Sequence, residues 1–320
     1  MGKLESADHS IGVKCSIVIS LESQVYQPGE TLVGQITLRI HETFDAKELV
    51  VAINGEEQLT WETSQFEAPN LQHKRTRILL QDQQVFATLQ RYDPGDYVFP
   101  FEFTLPEDLP TSFDYWKQSL GQLVCVQASV NYSIKVSLPV LGALKSDLTS
   151  SQWVRVVAPS RVEPQSLYVR GKREVVFLGV FGTGYCTLTA SLATNLLREK
   201  EEASIHCTIE NDSKKRVKLV RTELIQLVEL LPSEDDTNNF LPQSTSRTVN
   251  RTEFSDVDAG QTKSVVLQPA TVDTKRIATL LPSFSSEFVR VSYQLVVKCK
   301  YSMSGGTWVS FPITLVHHEA

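Results

Sequence analysis

Apolar residues recur at every second position along most of this chain. Tyr97, Phe99, Phe101, Phe103 and Leu105 fall on one side of an extended segment, with Val98, Pro100, Glu102 and Thr104 opposite. The same period groups Ile17, Ile19 and Leu21; Leu32, Ile36, Leu38 and Ile40; Leu49, Val51 and Ile53; and Val130, Tyr132, Ile134, Val136 and Leu138. It returns in the second half with Ile205, Cys207 and Ile209; Val220, Leu224, Val228 and Leu230; and Val289, Val291, Tyr293, Leu295, Val297 and Cys299. Neighbouring side chains of a strand point to opposite faces, so each set turns one face to a core and the other to solvent. No long amphipathic helix competes with this reading, and only Gln118 to Val126 is ambiguous.

Turn residues separate these segments. Pro28-Gly29 and Pro94-Gly95 suit the central positions of a type II turn, where Pro sets φ and Gly supplies a positive φ. Asn54-Gly55 predicts a tight hairpin turn. Asn211-Asp212-Ser213, ahead of Lys214-Lys215, predicts another. Many short strands with regular turns predict an all-β chain built of antiparallel sandwiches. The length of 320 residues suits two domains at about 150 residues each. The run Ala158 to Pro164 holds two prolines among polar residues and reads as a linker. The expected division is 1–157, a linker at 158–164, and 165–320. Residues Pro232 to Asn250 read as a long polar loop.

Composition excludes several classes of function. The net charge is −6. Up to Ala158 the chain has 12 basic and 19 acidic residues, a balance of −7; the remainder has 19 and 18, a balance of +1. Neither part is basic enough for general nucleic-acid binding. Five widely spaced cysteines, Cys15, Cys125, Cys186, Cys207 and Cys299, form no C-x-x-C pair and read as free thiols. The six histidines do not fall at zinc-ligand spacing from them. There is no G-x-S-x-G, no H-E-x-x-H and no phosphate-binding glycine loop, so no enzyme and no cofactor is expected. No apolar run reaches the roughly 20 residues of a membrane span. Met1 to Ser10 lacks a signal-peptide core, so the cytosol is the expected compartment.

Several segments together resemble a known family. Tyr26-Gln27-Pro28-Gly29-Glu30-Thr31-Leu32-Val33-Gly34 resembles the opening of an arrestin N-domain. So does Pro94 to Pro106, Pro-Gly-Asp-Tyr-Val-Phe-Pro-Phe-Glu-Phe-Thr-Leu-Pro, followed by Leu109-Pro110-Thr111-Ser112-Phe113. Tyr132 to Val136 is similar to the strand that closes that domain. Glu201 to Ser213 resembles a C-domain strand, and Leu281-Pro282-Ser283-Phe284 with Val289 to Val297 resembles the penultimate one. The likeness spans nearly the whole chain and is nearest to the arrestin domain-containing proteins, the α-arrestins. It implies the arrestin fold of two tandem immunoglobulin-like β-sandwiches. It also implies a cytosolic adaptor that binds cytoplasmic tails of receptors and transporters and couples them to endocytosis and endosomal sorting. Such a protein is recruited peripherally to the plasma membrane or endosomes. Ubiquitin ligase or coat machinery would be further partners, although no P-P-x-Y motif is present and the chain stops at Ala320 soon after its last strand. Within the same fold, a subunit of a retromer-like coat is the alternative. A secreted or surface adhesion sandwich is the alternative from another class.

Four local features are candidate sites. Lys214, Lys215, Arg216, Lys218 and Arg221 form the sharpest charge cluster. It resembles a lysine-rich strand that binds inositol phosphates in β-arrestins, and anionic lipid is the expected ligand. Lysines guarding a sheet edge are the plainer explanation. Arg173 resembles the arginine of the buried charge network of visual and β-arrestins. Gly2, in Met-Gly-Lys-Leu-Glu-Ser, matches a myristoylation pattern. Tyr185 to Leu188 and Tyr293 to Val296 match tyrosine sorting signals, and Asn131, Asn211 and Asn250 head chance glycosylation sequons.

Overall fold

The computed structural model describes residues 15–63, 70–87, 90–142, 147–160, 162–232, 243–254, 256–271, 280–303 and 305–316. The chain divides into two compact units, Met1–Pro159 and Ser160–Ala320. All regular structure among the described residues is strand, apart from turns and bends.

The first unit contains β1 (Cys15–Leu21), β2 (Val25–Tyr26), β3 (Thr31–Ile40), β4 (Phe44–Ala46), β5 (Leu49–Thr63), β6 (Leu71–Ala87), β7 (Gln90–Tyr92), β8 (Gly95–Thr104), β9 (Phe113–Leu120), β10 (Leu123–Leu138) and β11 (Leu148–Val156). Sheet order is β1-β3-β8 on one side and β2-β11-β10-β5-β6 on the other, with β9 also paired to β10 and a small β4-β7 ribbon. The second unit contains β12 (Leu167–Phe177), β13 (Phe181–Leu192), β14 (Leu196–Arg198), β15 (Ile205–Ser213), β16 (Leu219–Leu230), β17 (Gln243–Phe254), β18 (Thr262–Leu267), β19 (Phe284–Ser285), β20 (Val289–Lys300) and β21 (Thr307–Val316). Its sheets run β12-β13-β15-β18 and β14-β21-β20-β16-β17, with β19 beside β20. Pairing is antiparallel except where a short early strand lies parallel to the last strand of its unit, β2 on β11 and β14 on β21.

The alternating sets fill these cores. Leu32, Ile36 and Leu38 of β3, Leu49, Val51 and Ile53 of β5, and Ile134 and Val136 of β10 are buried. In the second unit every member of the Val289 to Cys299 set is buried. The aromatic set of β8 divides: Phe101 and Phe103 are buried, whereas Tyr97 and Phe99 are half-buried. The ambiguous stretch Gln118 to Val126 resolves into the β9–β10 hairpin, turning at Gly121 with φ 61°.

Four turn expectations meet different fates. Pro28-Gly29 turns as read, with Gly29 at φ 85° and Glu30 N–H donating to Gln27 O at 3.1 Å. Pro94-Gly95 does not: Gly95 is already paired to Ile40 as the first residue of β8. Asn54-Gly55 is not a turn at all but the middle of β5. Here glycine answers a packing demand, because a Cβ on Gly55 would come within 2.6 Å of the Tyr132 ring. That ring is held in place by its hydroxyl, which donates to Pro110 O at 2.7 Å. The turn expected at Asn211 to Ser213 lies one step later, at Lys214-Lys215, because β15 runs through Ser213.

Gly55→Val forces the buried Tyr132 ring off its position. It should destabilise the first unit by about 1–3 kcal/mol, read as an earlier denaturant midpoint. An unchanged midpoint would show that the ring does not need this gap.

Candidate functional site

The basic cluster is built around one buried amide. Asn211, the third-last residue of β15, is fully buried. Its Nδ2 donates to Lys215 O at 2.9 Å and to Asp258 O at 2.9 Å. Its Oδ1 accepts from Ser213 Oγ at 2.7 Å and from the Tyr301 hydroxyl at 3.3 Å. Ser213 Oγ also accepts the Lys215 N–H at 3.2 Å. A side-chain amide can satisfy several backbone groups in an irregular turn, which is why Asn favours such positions. The result is a rigid turn that presents Lys214 and Lys215.

The five basic residues then part ways. Arg216 forms exposed ion pairs with Asp256 and, at 3.1 Å, Asp258. Arg221 faces Glu253 across the β16–β17 register and pairs with it, and its other nitrogen lies 3.7 Å from Glu223. Arg221 is therefore spent inside the sheet's outer face and does not join the turn. Lys215 Nζ sits 3.7 Å from the centroid of Phe177, a cation–π contact. Lys214 and Lys218 are exposed, so Lys214, Lys215 and Lys218 carry the available charge.

Those lysines border an apolar tip that the sequence reading overlooked. Phe177 and Phe181 pair at the end of the β12–β13 hairpin, whose turn is Leu178-Gly179-Val180. Leu178 N–H donates to Met303 O at 3.0 Å, which brings the next connection alongside. Leu178 is 54% exposed, Val180 76%, Phe181 62% and Met303 69%. Lys214 N–H donates to Thr183 O at 2.8 Å, fixing the lysine turn against the base of this hairpin. The sequence signal was the loss of alternation in Val175-Val176-Phe177-Leu178-Gly179-Val180-Phe181, an unbroken apolar run around a glycine.

The other candidates fall elsewhere. Arg173 is exposed, with its guanidinium 4.7 Å from the Trp308 ring centroid. That is a surface cation–π contact and not a buried charge network. Among the described residues of this unit the buried charge is Glu223, reached by Lys298 Nζ at 2.5 Å and by Arg251 at 3.3 Å. Burial pushes its carboxyl up, but the Lys298 hydrogen bond and the charges of Lys298, Arg251 and Arg221 outweigh that and hold it below the ordinary value. Tyr293 and Leu295 are buried, as are Cys186 and Leu188 behind the exposed Tyr185, so neither sorting signal is presented intact. Asn211 and Asn250 are buried as well. Gly2 lies outside the described residues. Among the described residues, no group of three or more His, Cys, Asp or Glu side chains could hold a metal ion, and no helix is long and apolar enough to cross a membrane.

Two family models match the sequence. Arrestin (or S-antigen), N-terminal domain, matches residues 15–163, and Arrestin (or S-antigen), C-terminal domain, matches residues 183–319. The chain is an arrestin-domain protein. Among curated proteins searched by sequence, none matches it. The arrestin domains, two successive β-sandwiches, speak for an adaptor or scaffold role in general.

The Glu223 network sets an acid-side dependence. A carboxyl held below its unfolded value adds stability above that value and loses it as pH falls through the folded one. Acidification below about pH 4.5 should therefore lower the thermal midpoint of the second unit. Glu223→Gln should begin about 1–3 kcal/mol less stable at neutral pH and lose less on acidification. Parallel pH curves for the two proteins would remove Glu223 from this role.

Proposed function

We propose that this arrestin-domain chain is a non-enzymatic, cytoplasmic adaptor that binds cytoplasmic segments of receptors and transporters and couples them to endocytosis and endosomal sorting. It is recruited peripherally, and the second unit makes the membrane contact. The observation that carries this reading is the apolar hairpin tip of Leu178, Val180 and Phe181 set beside the lysine turn. Apolar side chains held out in water favour a surface that covers them. Each is worth about 1.5–3 kcal/mol when fully buried, and each lysine near an anionic leaflet adds about 1 kcal/mol. Those magnitudes suit reversible recruitment.

The cargo contact in this reading is strand addition. β6 supports it: 17 residues long, it is the last strand of its sheet, with Ile78 and Leu71 exposed. Beyond β5, its described neighbour is β8, reached through Gln84 Nε2, which donates to Glu102 O. A long edge of this kind is a template for a further strand.

Two measurements test the proposal. The purified chain should co-sediment with vesicles of phosphatidylcholine and phosphatidylserine, and less with phosphatidylcholine alone. Lys214→Glu, Lys215→Glu and Lys218→Glu together should weaken binding about tenfold or more, and Val180→Asp should weaken it with both vesicle types. Unaltered binding in both variants would end the membrane reading. Proximity labelling in the native cell should enrich receptors, transporters and sorting machinery. A labelled set without membrane cargo would overturn the adaptor role whatever the vesicles show.

A further inference from the structure

One outer sheet face of the first unit holds two tryptophans in water. Trp116 is 63% exposed and Trp153 72%. Large aromatic side chains left in water mark a surface that a partner covers. Both stand on the same flank of β10. β11 pairs with β10 from Leu138 to Tyr132, and β9 takes over from Val130 to Leu123. The two strands meet end to end: Ser112 N–H donates to Val156 O at 2.8 Å, and Val156 N–H donates to Ser112 Oγ at 2.9 Å. Together they present one column of side chains beside β10.

The register orders that column. Trp153 lies opposite Ser133, Asp114 opposite Ser129 and Trp116 opposite Gln127. Arg155, two residues after Trp153, falls at the level of Asn131. The outward side chains therefore run Trp153, Arg155, Asp114, Trp116, all exposed, while Val154, Val156 and Phe113 between them are buried. The two tryptophans are six residues apart along β10, about 20 Å. Among the described residues, neither Arg155 nor Asp114 takes an ion pair.

A half-turn about an axis in the plane of this face, crossing β10 at Val130, lays the column on its own image. Trp153 then meets the partner's Trp116, and Arg155 meets the partner's Asp114, each contact occurring twice. The inner columns match as well. Asn131 of β10 faces the partner's Ser129, and Glu56 of β5 faces the partner's Gln58. Lys74 of β6 faces the partner's Gln81. Within these rows no like charges meet. A twofold interface requires a patch that fits its own copy in this way.

We propose that this face is a homodimer contact, in which two copies of the chain pack sheet against sheet about that twofold axis. β10 has 16 residues and β5 has 15. With the strands on either side they offer a face about 50 Å long and about 19 Å wide. That exceeds the roughly 800 Å² per partner of a stable interface. Its floor is polar, whereas obligate interfaces are more apolar, so the dimer is reversible.

Sedimentation of the full chain across about 0.1–100 µM should show a monomer of 35.9 kDa giving way to a species of twice that mass. Trp116→Ser combined with Trp153→Ser should weaken association about tenfold or more. Arg155→Asp and Asp114→Arg should each do so alone, because each sets like charges face to face twice. An equimolar mixture of these two single variants should recover the dimer, since every contact again joins an arginine to an aspartate. All four side chains are exposed in the single chain, so thermal midpoints at the lowest concentration should stay in place. A chain that stays monomeric at about 100 µM would overturn the proposal and leave the face to a peptide or a glycan. So would a dimer indifferent to the tryptophan and charge variants, or a mixture that fails to associate.

Discussion

The side-chain amide of Asn211 ties together parts of the second unit that are far apart in sequence. It reaches Lys215 two residues beyond the end of its own strand, Asp258 in the connection between β17 and β18, and Tyr301 just past β20. A buried amide leaves costly unpaired groups if any of these partners is displaced. The lysine turn, the position of Thr183 behind it and the angle of the apolar hairpin therefore share one anchor. The surface charge that a ligand would meet is organised from the interior.

A second constraint acts on charge itself. Five basic residues within eight positions look like one patch, but period two and cross-strand register assign them separately. Arg221 is placed opposite Glu253 and beside Glu223, where its charge is needed to balance buried carboxylate. Arg216 is met by two aspartates from the connection after β17. Exposed pairs of that kind add little stability, but they cancel the local field. What remains positive is the short stretch that borders exposed apolar side chains.

The sandwich architecture was legible because its signal is local. Alternation at Leu32 to Ile40 or Val289 to Cys299 needs only neighbouring residues to be read, and the cores follow from it. Asn54-Gly55 was misread for the opposite reason: its glycine answers Tyr132, a residue almost eighty positions away that faces it across the sheet. The candidate cluster was visible as charge but not as geometry, because Asp256, Asp258 and Glu253 are distant partners. The hairpin tip broke the very alternation that served elsewhere, and so it escaped notice.

The two short parallel pairings have a consequence for how the chain is made. Tyr26 is held against Val156, and Leu197 against Leu315. Each unit is thus fastened at its beginning by the strand that the ribosome delivers last. Neither sheet can reach its full order until well over a hundred residues have emerged, and contacts of such long sequence separation slow folding. The first unit can close once β11 is out, whereas the second must wait for β21. During that interval the edge of β20 that takes β21 lies open, and the nascent second unit is the one that most needs protection from pairing with a neighbour.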